Sequence, residues 1–227
     1  MKKTLLFSLL TAFIMTFTMS VNAQERASGK EFKSNQKYEK TLNKDLQKKA
    51  IKEARQEAKR LTKEGFRTPP GKIPLDKQLE NSWQRQVEID SEGNPLWYIA
   101  SSRAVGGNQS AAVMQATNAA KIDLAGQIQT RVSQLIDAKL ANDDLGQEEA
   151  ASLSNIVAAS KSTISATLGR VLPLVEINRT LPNNNVEVMV TLGYNSNTAT
   201  QEALKAIRAE LSKKSENLAK ELDKLGY

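Results

Sequence analysis

Hydrophobic residues between Leu96 and Leu140 follow two patterns, first that of a strand and then that of a long helix. Around Trp97 and Ile99, apolar and polar positions alternate with the two-residue period of a half-buried strand. Beyond Gly107, apolar residues recur every three or four positions, which predicts an amphipathic helix over 110–140. The positions on its apolar stripe are Val113, Thr117, Ala120, Leu124, Ile128, Val132, Leu135 and Ile136.

The C-terminal half predicts a hairpin followed by a terminal helix. Residues 171–179 are β-like, with Pro173 indicating a bulge or an edge, and 186–194 alternate cleanly after an Asn-rich turn. Upstream, 147–159 fit a helix or extended chain, whereas the Ser- and Thr-rich run 161–168 could enter a strand.

A first hairpin is predicted over 81–105. Trp83, Val87 and Ile89 share one side of a two-residue alternation, and a turn at 90–95 leads into the strand around Trp97. With the later hairpin, this predicts an α+β fold: an antiparallel sheet of about four strands (two hairpins) packed by the long helix, with a C-terminal helix. We assign this module to residues 81–227.

The segment before the module predicts a helical arm with a linker, over residues 24–80. A narrow stripe at four-residue spacing indicates a helix from about 38 to 64, which Gly65 and Pro69-Pro70-Gly71 end. Its alanine-rich side favours docking against another helix. The stripe consists of Leu42, Leu46, Ala50, Ala54, Ala58 and Leu61.

Residues 1–23 have the pattern of a secretory signal peptide. Lys2 and Lys3 precede an apolar run, and Val21-Asn22-Ala23 resembles a cleavage site. The alternative is an uncleaved anchor helix, which needs about 20 apolar residues. No later stretch is long and apolar enough to span a bilayer, so we expect an exported mature chain without a transmembrane segment.

Positive charge is concentrated in the arm. Residues 24–67 hold 14 Lys or Arg against 7 Asp or Glu, whereas 68–227 hold 16 against 18. The lysines indicate a ridge that binds a polyanion or, alternatively, an ordinary solvated face. Without interleaved aromatic residues, specific nucleic-acid binding is not expected. The candidate partner-binding residues are Lys33, Lys37, Lys40, Lys44, Lys48, Lys52, Lys59 and Lys63.

The residues that most often carry catalysis are missing. The chain has no His and no Cys, which removes the commonest general base, thiolate ligands and disulfides. Asp143-Asp144 and Glu148-Glu149 are carboxylate pairs in a polar connection between helices. The turn at Gly106-Gly107-Asn108 could hold an anion, or it could be a tight turn in which Asn108 or Ser110 caps the long helix. We predict no enzyme, no catalytic residues, no cofactor and no metal.

Four stretches carry a resemblance to a known family: Trp97-Tyr98-Ile99-Ala100, Ala104-Val105-Gly106, the helix around residues 119–125, and the hairpin strand at 186–190. From about 79 to 194 the chain resembles the bacterial twenty-kilodalton envelope lipoprotein family, which is also similar to the N-terminal module of a flagellar outer-membrane assembly protein. The resemblance implies an α+β module of the cell envelope with no catalytic residues. The chain departs from the family in lacking the lipidated Cys.

These observations predict a non-enzymatic secreted or periplasmic cell-envelope module that acts by protein–protein interaction. The alternatives are a peripheral binder of lipopolysaccharide, anionic lipid or another polyanion, and an unrecognised enzyme. We expect export to the periplasm or outer membrane of a Gram-negative bacterium, or release. The expected partner is an envelope protein or an anionic envelope surface, and a homo-oligomer is a further possibility.

Overall fold

The computed structural model describes Thr41 and residues 44–90, 93–140, 147–214 and 216–224. The chain divides into two compact units, Met1–Leu46 and Gln47–Tyr227. Thr41 and residues 44–46 of the first unit are helical. The architecture below is that of the second unit. The predicted signal peptide, 1–23, lies outside the described residues.

Helices dominate the second unit, and its strands come in two places along the chain. Residues 47–63 form α1. The elements that follow are α2 (Leu75–Gln86), β1 (Trp97–Gly106), α3 (Gln109–Leu140), α4 (Gln147–Ala159), α5 (Lys161–Thr167), β2 (Leu172–Thr180), β3 (Val186–Asn195), α6 (Ser196–Lys214) and α7 (Glu216–Lys224).

The described strands form one antiparallel sheet in the order β1-β3-β2, which confirms the α+β class and the antiparallel arrangement. The sheet has three strands where about four were predicted. β2 and β3 form the predicted hairpin, and Asn184 takes a φ of 62° in its turn, a conformation that Asn tolerates well. The predicted irregularity at Pro173 is present as a register shift between Pro173 and Val175.

The prediction of a first hairpin over 81–105 is wrong, because its first half is helix α2. Leu75, Leu79 and Ser82 are buried at helical spacing, and this period prevails over the alternation from Trp83 onwards. The predicted turn is nevertheless present. The Asp90 N–H donates to the Asn94 carbonyl at 2.9 Å, and the turn leads into β1.

The run 161–168, predicted as a possible strand, is helical from Lys161 to Thr167. Its β-branched residues favour strands in isolation, but burial of Ile164 against α3 and α6 decides the local structure. The Thr167 hydroxyl donates to the Thr163 carbonyl at 3.0 Å, so the hydroxyl is satisfied within the helix. The predicted terminal helix is divided into α6 and α7.

The long helix covers one face of the sheet, as predicted, by packing against β1 and β3. Asn108 caps it, with its Oδ1 accepting the Ala111 N–H at 2.9 Å. At its N-terminal end, alanines rather than Val113 and Thr117 occupy the buried positions, which lets the helix approach the sheet closely. The fully buried positions are Ala112, Ala116, Ala120, Leu124, Ala125, Ile128, Val132 and Ile136.

A second core fills the opposite face of the sheet. It is formed by α1, α2 and β2, and it joins the loop residue Phe66 to apolar residues of all three elements. Part of the segment assigned to an arm at 24–80 therefore packs on the sheet. The buried residues of this core are Ala54, Ala58, Leu61, Phe66, Leu75, Leu79, Leu174, Val175 and Ile177.

Candidate functional site

The two outer edges of the sheet differ in how many of their outward backbone groups have hydrogen-bond partners. Along β2, the backbone of Arg67 exchanges two hydrogen bonds with Asn178, at 2.7 and 2.9 Å. Nearby, the buried side chain of Gln78 accepts the Glu176 N–H at 2.7 Å. These contacts occupy backbone groups that would otherwise be available to another chain. The edge along β2 is thus partly covered.

Hydrogen-bond alternation shows which backbone groups of β1 face outward. The backbone N–H and C=O groups of Glu176 and Asn178 face away from β3. In an antiparallel ladder, the backbone groups of their partners Val190 and Val188 therefore face β1. Those two residues pair with Ser102 and Ala104, so the N–H and C=O groups of the alternate residues face away from the sheet. The outward-facing residues are Ile99, Ser101, Arg103 and Val105.

This outer edge of β1 is open at its C-terminal part. Gln127 donates to the Ile99 carbonyl at 3.0 Å. Within the described part of the chain, no hydrogen bond reaches the outward backbone groups of Ser101, Arg103 or Val105. All three residues are exposed, and Val105 retains 47% of its accessible surface. We call residues 101–105 the open edge.

The candidate lysines divide between described and undescribed residues. Lys33, Lys37 and Lys40 lie outside the described residues, and Lys44 belongs to the first unit, where it is exposed. In α1, the spacing of the remaining four places them within about 60° around the helix axis. These four are exposed and lie away from the buried side of α1: Lys48, Lys52, Lys59 and Lys63.

Neighbouring cations of α1 are paired with carboxylates. Arg60 bonds Glu57 and Glu64, and Arg55 bonds Glu80 of α2. The ion pair with Arg60 lowers the pKa of the Glu57 carboxyl below its ordinary value. The lysine face is therefore flanked by compensated arginines, and its role stays a prediction.

A cleft of about 920 Å³ lies between α3, α6 and the turn that precedes β1. Amides and hydroxyls from Gln127, Thr130, Asn197 and Gln201 line it, and Tyr98 lies at the start of β1. We call this the α3–α6 cleft. Its charged lining residues are Asp90, Arg131, Lys205 and Arg208.

Tyr98 is the half-buried aromatic residue of this cleft. Burial raises the pKa of its phenol, and a hydrogen bond to Thr200 and the nearby Arg131 oppose that rise in part. The Thr200 hydroxyl itself donates to the Ser196 carbonyl at 2.8 Å. The phenol is therefore a hydrogen-bonding group of the cleft wall.

Neither a cluster of metal-ligand side chains nor a membrane-spanning helix is found in the part of the chain that the structure describes. It holds no group of three or more Asp or Glu side chains placed to bind a metal ion. Asp143 and Asp144 lie outside the described residues. Each helix there is too short or too polar to cross a bilayer.

Comparison with known proteins adds no assignment: no family model, curated protein or solved structure matches the chain. The resemblance to the envelope lipoprotein family therefore stays a prediction.

Sequence reasoning identified neither the open edge nor the α3–α6 cleft. Alternation predicts a strand at 97–101 but does not distinguish an edge strand from a central one. The cleft joins residues more than 60 positions apart, such as Arg131 and Lys205, and their spacing carries no signal. The one sequence signal was the position of Arg131 next to Val132 of the apolar stripe, which indicates a cation close to the core.

Proposed function

We propose that this chain is an exported, non-enzymatic module of the bacterial cell envelope that acts by binding another protein. The observation that carries the proposal is the open edge of β1. A partner segment in extended conformation would add to this edge as a fourth strand, with backbone hydrogen bonds supplying affinity.

The contrast between the two edges supports this site. Proteins usually cover or charge an edge strand to prevent pairing with other chains. Here the β2 edge is partly covered by Arg67 and Gln78, whereas the outward backbone groups of residues 101–105 on β1 are open. Arg103 is the one charged side chain of the open edge, and it is already engaged, 3.8 Å from Glu187 and 5.4 Å from the centre of the Phe66 ring.

The absence of His and Cys from the sequence supports a binding role over catalysis. The leader-like residues 1–23 support export. The resemblance of residues 79–194 to envelope lipoproteins points to the same compartment. Each of these supports stands apart from the open edge.

Charge placed on the open edge tests the proposal. Val105→Lys and Leu172→Lys are matched variants, since each adds a lysine at an exposed apolar residue of an outer strand. Val105 is 47% exposed on β1, and Leu172 is 39% exposed on β2. We expect Val105→Lys to abolish capture of a specific envelope protein by residues 24–227, and Leu172→Lys to retain it.

Hydrogen exchange gives a direct readout of the same edge. In the free chain, the amides of Ser101, Arg103 and Val105 should exchange quickly, and those of Ser102 and Ala104 slowly. Partner binding should protect the first group. Unchanged exchange at these amides in a saturated complex would exclude strand addition. Protection that depends on the concentration of the chain itself would assign the edge to a second copy.

The lysine face of α1 supports a second candidate, a peripheral binder of an anionic envelope surface. Four exposed lysines on one side of a helix attract anionic lipid or lipopolysaccharide through an interaction that salt screens. Binding that is lost between low and moderate salt, and lost on replacing all four by Gln, would favour it. Binding that withstands salt but not Val105→Lys would favour the protein partner.

A further inference from the structure

The charges around the α3–α6 cleft do not balance. Arg208 is neutralised by Asp223 of α7, with contacts of 2.5 and 2.6 Å. Arg131 and Lys205 have no ion pair with a carboxylate among the described residues. Asp90 is the one acidic residue among the described residues that line the cleft, so with Arg131 and Lys205 the lining keeps a net positive charge.

The two cations approach the cleft from different helices. Arg131 lies on α3 and is half-buried, with one guanidinium nitrogen 3.3 Å from Asn94 Oδ1. Lys205 lies on α6 and is exposed. A half-buried guanidinium that lacks a carboxylate is a strong site for an oxyanion, because charge-assisted hydrogen bonds strengthen away from bulk water.

The remaining wall suits the oxygen atoms of the same ligand. Asn197 and Gln201 on α6, and Gln134 on α3, bring side-chain amides that can donate as well as accept. A volume of about 920 Å³ falls in the range of small-molecule sites. We infer that the α3–α6 cleft binds a small oxyanion-bearing molecule, its anionic group held between Arg131 and Lys205. This site is independent of the open edge on β1.

Titration of the ¹⁵N-labelled mature chain tests the inference. Sodium phosphate and sodium acetate serve as separate probes at constant ionic strength set by sodium chloride, so that the two arms distinguish a phosphate from a carboxylate ligand. We expect saturable shifts of amides at 130–134 and 197–205 with at least one probe. The absence of saturable shifts in both arms would overturn the inference.

Paired substitutions make the assignment specific. Arg131→Gln with Lys205→Gln should weaken probe binding by at least about tenfold, as expected for loss of charged hydrogen-bond donors. Arg170→Gln with Lys213→Gln removes two exposed cations that do not line the cleft and should leave binding unchanged. An equal loss in both pairs would assign the shifts to general charge and refute the site.

Discussion

The two faces of the sheet are built from different kinds of sequence. The face under α3 is covered by one long helix whose small and branched aliphatic residues repeat every three or four positions. The opposite face is covered by α1, α2 and Phe66, which join residues from separate segments. On the first face, one helix packs through apolar residues that recur at regular spacing. On the second face, packing depends on particular side chains from separate segments.

Aromatic rings and arginines close the second face. Arg85 lies 4.1 Å from the ring centre of Trp97, and the Trp97 Nε1–H donates to Glu88 at 2.8 Å. Arg179 lies over Phe66 at 4.6 Å. Such stacking contributes about 0.5–1 kcal/mol at exposed sites, and more when water is excluded. The second face thus replaces repeated aliphatic contacts with fewer, more directional ones.

Truncation of one core residue on each face should expose the difference. Ile128 and Leu61 are both fully buried, within clusters that hold 24 and 9 buried members respectively among the residues that the structure describes. We expect Ile128→Ala to lower the free energy of unfolding by about 2–5 kcal/mol, and Leu61→Ala by about 2–3 kcal/mol because the smaller cluster relaxes more easily. Chemical denaturation monitored by circular dichroism measures both.

Helix α3 also contains a control position for the Ile128→Ala variant. Ile122 lies on α3 with 52% of its surface exposed, so Ile122→Ala should change stability by less than about 0.5 kcal/mol. A loss for Ile122→Ala as large as that for Ile128→Ala would refute the assignment of faces. A larger loss for Leu61→Ala than for Ile128→Ala would reverse the ranking of the two cores.

The sequence predicted the first face better than the second for a physical reason. The apolar period of α3 extends over 32 residues, so it prevails over local ambiguity. Around the C-terminal end of α2, Trp83, Val87 and Ile89 alternate as in a strand, but Leu75 and Leu79 pack at helical spacing in the second core and favour the helix up to Gln86. Short elements with mixed periods are decided by partners distant in sequence.

Gly193 lies at a tightly packed point on the second face. A Cβ at this position would lie 2.8 Å from Leu174 Cδ1 and 3.7 Å from the ring of Trp97. We expect Gly193→Ala to lower the free energy of unfolding by about 1–3 kcal/mol, because the neighbouring side chains must move to admit the methyl group. Thermal and chemical denaturation measure this loss.

Gly107 provides the matched substitution. A Cβ there meets no atom within 4 Å, and its φ lies outside the positive range, so Gly107→Ala should be close to neutral. Equal effects at the two glycines would show that the second face is packed more loosely than the distances indicate.

The candidate sites were less predictable than the fold. The lysine stripe could be found in part because four of its members share α1 and are exposed on one side of it. The open edge depends on strand order, which places β3 between β1 and β2 in the sheet although β2 precedes β3 in the chain. The α3–α6 cleft depends on helix packing. Sites assembled from separate elements leave no spacing to recognise.

The smallest expected effect concerns the ion pairs that join helices on the two faces. On the second face, the Glu80 carboxylate of α2 accepts hydrogen bonds from Lys77 at 2.8 Å and from Arg55 of α1 at 2.5 Å. These bonds lower the pKa of the Glu80 carboxyl. On the first face, the bond from Arg208 lowers the pKa of Asp223 in the same way. Both carboxylates therefore stabilise the fold above the ordinary carboxyl pKa of about 4.

Acid should remove this contribution. As pH falls through the lowered pKa of Glu80, the carboxyl is protonated and its stabilising charge is lost. We expect Glu80→Gln to melt below the wild type at pH 7, by less than Gly193→Ala does, and the difference to close towards pH 3. Glu53→Gln, which removes a longer contact of 3.8 Å to Lys49, should show a smaller gap at pH 7. A Glu80→Gln difference that persists unchanged at pH 3 would mean that packing, rather than charge, joins α1 to α2.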